Sequence, residues 1–106
     1  MPEFSPAHVA ILERLVAKGF VGVAFPLYAD AVGIRRGAFA ALLVPEGSGM
    51  KILGEPSYLI DGNLTVRVLR NGRSVFVWKK REVEATPELL ADLARFISDL
   101  SAAIAP

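Results

Sequence analysis

The chain predicts an α+β fold, a two-layer sandwich in which an antiparallel sheet carries helices on one side. Three observations carry that prediction. The stretch from Leu64 to Trp78 reads as a β-hairpin around Asn71-Gly72. Helix starts stand near both ends of the chain, at Ser5-Pro6 and Thr86-Pro87. The region between them is a run of short apolar segments broken by Gly- and Pro-containing turns. The expected arrangement is a single α+β domain over residues 1–106. It is a helix, a meander of about four or five strands, and a second helix, with both helices packed on one sheet face.

The first helix opens with Ser5 as N-cap and Pro6 at the first helical position. Phe4 and Val9 are spaced as a hydrophobic staple. Val9, Leu12, Leu15 and Val16 form the expected apolar stripe, with Ile11 at its edge. Gly19 is the expected stop. Phe20 to Phe25 reads as a short buried strand or extended segment ended by Pro26. From Leu27 to Gly37 the expectation is a loop with one helical turn around Tyr28 to Val32. It ends in a basic turn, Gly33-Ile34-Arg35-Arg36-Gly37.

Ala38 to Val44 fits a strand or a helix end. The turn cluster Pro45 to Gly49 and the returning Met50 to Leu53 favour the strand, although Ala is a poor strand former. Gly54-Glu55-Pro56 bends the chain, and Ser57 to Ile60 is the next short strand. Asp61-Gly62-Asn63 then turns into the hairpin. A two-residue turn places Tyr58 and Ile60 on the side of Thr65 and Arg67, and a three-residue turn places them on the other.

Within the hairpin, Asn and Gly tolerate the positive φ that a type I′ turn requires. That turn sets Val68 against Val75, Val66 against Val77, Arg67 against Phe76 and Thr65 against Trp78. Strand alternation then separates an aliphatic face (Leu64, Val66, Val68, Val75, Val77) from a mixed one carrying Thr65, Arg67, Leu69, Ser74, Phe76 and Trp78. The aliphatic face is expected to be the core side. Beyond Trp78 the alternation breaks, which predicts a bulge or departure from the sheet. In the last helix, Thr86 caps, Pro87 follows, and Glu88 lies in the first turn. Leu89, Leu93, Phe96, Ile97, Leu100 and Ile104 form one stripe.

At 106 residues the chain suits one modest core, and its hydrophobic content of 53% lies above the usual globular range. That excess suggests well-buried strands or a surface meant for a partner. Net charge is +1, so no global field points to nucleic acid. Charge is segregated nonetheless. Arg67, Arg70, Arg73, Lys79, Lys80 and Arg81 cluster in and after the hairpin, whereas acids dominate from Glu82 onward. A basic hairpin complementing the acidic helix, within or between chains, is expected. With no cysteine in the chain, disulfide and thiolate chemistry are excluded, in keeping with a cytoplasmic setting. Pro2, Glu3 and Pro6 do not fit a secretory leader, and no apolar run is long enough to span a membrane.

No catalytic constellation is legible. A nucleophilic site needs a base held by an orienting group. The single histidine, His8, lies in the first helical turn with no acid at a suitable spacing, and is expected to face solvent or sit beside the staple. Neither a metal nor a cofactor is expected, because Asp61-Gly62-Asn63 lacks further ligands and no Walker or dinucleotide motif appears. Glu82 and Glu84 share a strand face, and local ion pairs with Lys79 to Arg81 are the simplest account of them.

The mixed face points to binding instead. Arg67, Phe76, Trp78 and Tyr58 are the residue types that anchor interfaces. Three covers suit such a face: the chain's own Phe20 to Val32 segment, a second copy, or stacked bases or a small ligand. The expectation is a non-enzymatic binding or assembly domain that homodimerises. The alternative is binding of nucleic acid or an anionic ligand through Arg35, Arg36, Arg70 and Arg73.

Overall fold

The computed structural model describes residues 4–105. Residues 1–3 and 106 of the expected domain lie outside that range. The order is α1 (Pro6–Ala17), β1 (Val21–Val23), a short 3-10 turn (Pro26–Tyr28), β2 (Val32–Arg36), β3 (Phe39–Glu46) and β4 (Gly49–Ile60). There follow β5 (Asn63–Leu64), β6 (Val66–Arg70), β7 (Arg73–Trp78), β8 (Arg81–Glu84) and α2 (Pro87–Ile104). The strands make a five-stranded sheet, β1-β2-β3-β4-β5, and a three-stranded ribbon, β6-β7-β8. All pairings are antiparallel. The α+β sandwich is therefore observed, with more strands than the expected meander and a division into two sheets.

Ile11 and Leu15 of α1 meet Leu93, Phe96 and Leu100 of α2 in one core. Ile34, Phe39, Ala41, Leu43 and Met50 supply the sheet side of it. The intervening residues Ala40 and Leu42 point the other way and pack with Phe25. β3 is thus buried on both faces, which accounts for its small residues. Ala40 and Ala41 sit where larger side chains would force the layers apart.

Local signals placed both helix starts. The Ser5 hydroxyl accepts from the His8 amide, and Thr86 Oγ1 accepts from Leu89 N–H at 3.2 Å. At the end of α1, Gly19 has φ +89°. Phe20 N–H reaches Leu15 O at 3.0 Å and Gly19 N–H reaches Val16 O at 3.1 Å, a Schellman closure that a positive-φ glycine permits. The stripe of α2 is as expected, whereas that of α1 is rotated. Val9 and Val16 are exposed, and the buried residues are His8, Ile11 and Leu15. His8 is the cause. Its Nδ1 accepts from Ser5 N–H at 3.0 Å, so Nε2–H donates to Gly47 O at 2.9 Å in the β3–β4 turn. Phe4 packs edge-on against this ring, at 6.0 Å, in place of the expected Val9.

Of the Leu27 to Gly37 region expected to be loop, the first part is a 3-10 turn and irregular chain, whereas Val32–Arg36 is strand β2, paired between β1 and β3 in place of a basic turn. Gly33 belongs to that strand because of a close approach. A Cβ there would lie 2.3 Å from Val23 O and 2.7 Å from the Phe25 ring. The expected strands at Met50 to Leu53 and Ser57 to Ile60 are one continuous β4. It is kinked at Gly54, φ +71°, where the register with β3 shifts. Asp61-Gly62 is a two-residue turn, with Ile60 paired to Asn63. Beyond Trp78 the chain makes neither a bulge nor an exit. Lys79 takes φ +54° and a further hairpin leads into β8.

The hairpin register is as expected, with Val66 opposite Val77, Arg67 opposite Phe76 and Val68 opposite Val75. Thr65 does not join that ladder. It stays with β4, where its amide and its hydroxyl both donate to Tyr58 O. The face assignment is inverted. Phe76 is 0% exposed while Val66 is 65% exposed. The two-residue turn keeps Tyr58 on the side of Phe76, and the two rings stack at 5.4 Å. Burying an aromatic ring removes more apolar area than burying a valine, so the aromatic side turns inward. The valine side faces out. Arg70 is level with Arg73, and Glu82 with Val77, so the Arg70–Glu82 ion pair crosses that face diagonally.

The inversion is testable by urea unfolding. Phe76→Ala is expected to cost about 3–5 kcal/mol, and Val66→Ala less than about 0.5 kcal/mol. A larger loss at Val66 would return the valines to the core.

Candidate functional site

The side of the five-stranded sheet opposite the helices is the candidate site. The turn Pro26–Tyr28 crosses it, because Pro26 ends the extended segment and starts a single 3-10 turn closed by Tyr28 N–H to Phe25 O at 2.9 Å. Phe25 anchors this segment by sitting over Gly33. Leu27 and Tyr28 are left outside, 74% and 44% exposed.

Tyr28 borders three hollows. The first is a cleft of about 370 Å³ where β4 and β6 diverge, lined by Leu53, Gly54 and Glu55 on one bank and Leu64, Val66 and Arg67 on the other. The second is a hollow of about 470 Å³ along β1 and β2, walled by Val23, Phe25, Ala31 and Val32. The third is a small notch in which Trp78 meets Pro26, Leu27 and Leu64.

The polar groups of the cleft are already engaged. Thr65 Oγ1 donates to Tyr58 O at 2.6 Å, so it accepts from Ser57 Oγ at 2.9 Å. Arg67 and Glu55 face each other at 3.8 Å on the rim. Among the described residues no buried side-chain polar atom lacks a partner, and no three metal-ligating side chains converge. His8 lies in the packing between α1 and the β3–β4 turn, away from this face. The arrangement suits apolar contact bounded by a polar rim.

The four residues expected on one surface are separated. Phe76 and Tyr58 lie in the core layer under the helices, with Tyr58 also edge-on to Phe39 at 5.7 Å. Arg67 and Trp78 reach the candidate face. Trp78 is half-buried against the chain's own Phe25 to Tyr28 segment, with Lys79 Nζ 5.5 Å from its ring centre.

The four arginines considered for anion binding do not form a cluster. Arg70 and Arg73 pair with Glu82 and Glu84 of β8, a correction to the expected pairing of those acids with Lys79 to Arg81. Arg36 donates to Lys18 O at the end of α1 and to Asp99 of α2 at 2.7 Å. It also lies 4.5 Å from the Phe20 ring centre. Arg35 is exposed and has no ion pair among the described residues. The hairpin arginines therefore find their acids in β8, at Glu55 and at Asp61 rather than in α2.

Sequence reasoning missed Leu27, Tyr28, Leu53 and Leu64 as site residues. The one signal that pointed their way was the apolar excess. Comparison of the chain with protein-family models, with curated proteins and with solved structures returned no match.

A structural role for Arg36 predicts that Arg36→Ala costs about 1–2 kcal/mol in urea unfolding, through lost packing on Phe20 and a lost cap. Arg35→Ala should stay within about 0.5 kcal/mol. Equal losses would contradict that structural role.

Proposed function

We propose that this chain is a non-enzymatic assembly domain of the cytoplasm that self-associates through the helix-free sheet face. The observation that carries the reading is the meeting of three apolar hollows at Tyr28, flanked by exposed Leu27, Leu53 and Val66. A small domain rarely leaves such a surface to water. Its residues are of the kind found in interface centres, with Tyr28 and Trp78 among aliphatics and the Arg67–Glu55 pair at the rim. Knobs and hollows lie side by side on one face, so a second copy related by a two-fold axis offers the complement to both. No described helix is long and apolar enough to cross a membrane. Binding of nucleic acid draws less support, since Arg36, Arg70 and Arg73 have acid partners within the chain.

Analytical ultracentrifugation in the micromolar range is the test. The wild type is expected to sediment as a dimer. Tyr28→Ala and Leu27→Asp, with wild-type circular dichroism, should weaken dimerisation by about 30-fold or more, the size of an interface hot spot. A wild-type monomer at tens of micromolar would overturn the reading.

A further inference from the structure

The proposed assembly leaves open how two copies meet, and the ribbon β6-β7-β8 bears on that. Phe76 and its neighbour Val83 face the helix-covered core, so the other side of the ribbon belongs to the helix-free side of the fold. Residues directly opposite on antiparallel strands share a face, and the register arranges that side in three rows. The first is Val66, Val77 and Glu82, and the second is Val68, Val75 and Glu84. The third is Arg70 and Arg73, beside the turn. None of the four valines belongs to either apolar core. Val66 is 65% exposed, and the other three are half-buried beneath the crossing Arg70–Glu82 pair. That pair and Arg73–Glu84 are both solvent-exposed, so each holds its partners weakly.

We propose that this valine face stacks on the same face of a second copy, with the strands crossing near a right angle, and that the two ion pairs exchange partners between the copies. This inference rests on the self-association reading and specifies its geometry. Sheets stacked face to face cross at about 30° or about 90°, and the two-fold axis between them decides which residues meet. An axis along the strands sets arginine against arginine in the third row. An axis across the strands sets acid against acid along β8. The diagonal through Glu82 and Arg70 sets each of those against itself. The diagonal through Val66 and Val75 does none of this. It sets Glu82 against Arg70 and Glu84 against Arg73 of the second copy. Val77 then meets Val68, while Val66 and Val75 each meet their own counterpart. Every charge faces its opposite and every valine a valine. Val66 also forms part of one bank of the Tyr28 cleft, so the stacked face is continuous with the surface around Tyr28.

Charge exchange followed by analytical ultracentrifugation tests the axis, on variants with wild-type circular dichroism. Arg73→Glu and Glu84→Arg each set like charges face to face, and each alone is expected to weaken dimerisation by about tenfold or more. An equal mixture of the two restores both contacts and should sediment as the wild-type dimer does. Arg73→Glu mixed with Glu82→Arg carries the same net charges but leaves acid facing acid, and should stay dissociated. As a second arm, Val75→Asp places two carboxylates at the axis and should weaken dimerisation by about tenfold or more. Val16→Asp, on the exposed side of α1, should not. If the wild type dimerises but the two mixtures behave alike, or Val75→Asp dimerises as the wild type does, the stacking is overturned and the assembly reading stands. A monomeric wild type removes the assembly reading itself.

Discussion

The stack of Tyr58 on Phe76 is the contact from which most of the architecture follows. Tyr58 belongs to β4, the long strand against which both helices pack. Phe76 belongs to β7, the centre of the ribbon. Their contact ties the ribbon to the helix-covered core and fixes which of its sides faces in. With Phe76 inward, the valine side turns outward, and Arg70 and Arg73 on that side reach across to the acids of β8. The same orientation brings Trp78, at the far end of β7, to the Pro26–Tyr28 turn. An alternative with the valines inward would leave Phe76 in water and cost Tyr58 its stacked partner.

Cations serve this fold mainly as fasteners. The last turn of a helix carries unsatisfied carbonyls and a partial negative charge. Arg36 donates to the end of α1, and Arg14 donates to Ala103 O and Ala105 O at the end of α2. Each helix end is thus closed by a guanidinium from another element, and the Arg36–Asp99 pair links strand to helix. Exposed pairs such as these add little stability individually. Their effect here is to occupy most of the arginines, which leaves the apolar side of the sheet as the distinctive surface. That surface exists because helices cover one side of the sheet, while a single turn around Phe25 covers part of the other.

Much of the fold was legible in the chain. Ser5, Thr86 and Gly19 marked helix ends through bonds to residues a few places away. Asn71-Gly72 set the hairpin register, with φ of +52° and +77°. The sandwich class followed from the order of these elements. The misreadings have a common origin. The α1 stripe was displaced because His8 bonds to Gly47 across the fold. β2 was taken for a turn because Gly33 signals flexibility in a string, whereas its role is to admit the Phe25 ring. The candidate site was half found. Trp78 and Arg67 lie on it, but Tyr28 was hidden in an irregular stretch, and Phe76 went to the core.

What the sequence alone determined is what short-range physics controls: caps, turn types, strand alternation and pairing register, each set by neighbours a few residues apart. What tertiary structure decided is orientation. A period of two separates the faces of a strand without saying which is wet, and that choice fell to the larger apolar area on the side of Phe76 and Tyr58. The position of the Tyr28 surface was decided in the same way, by which sheet face the helices left uncovered.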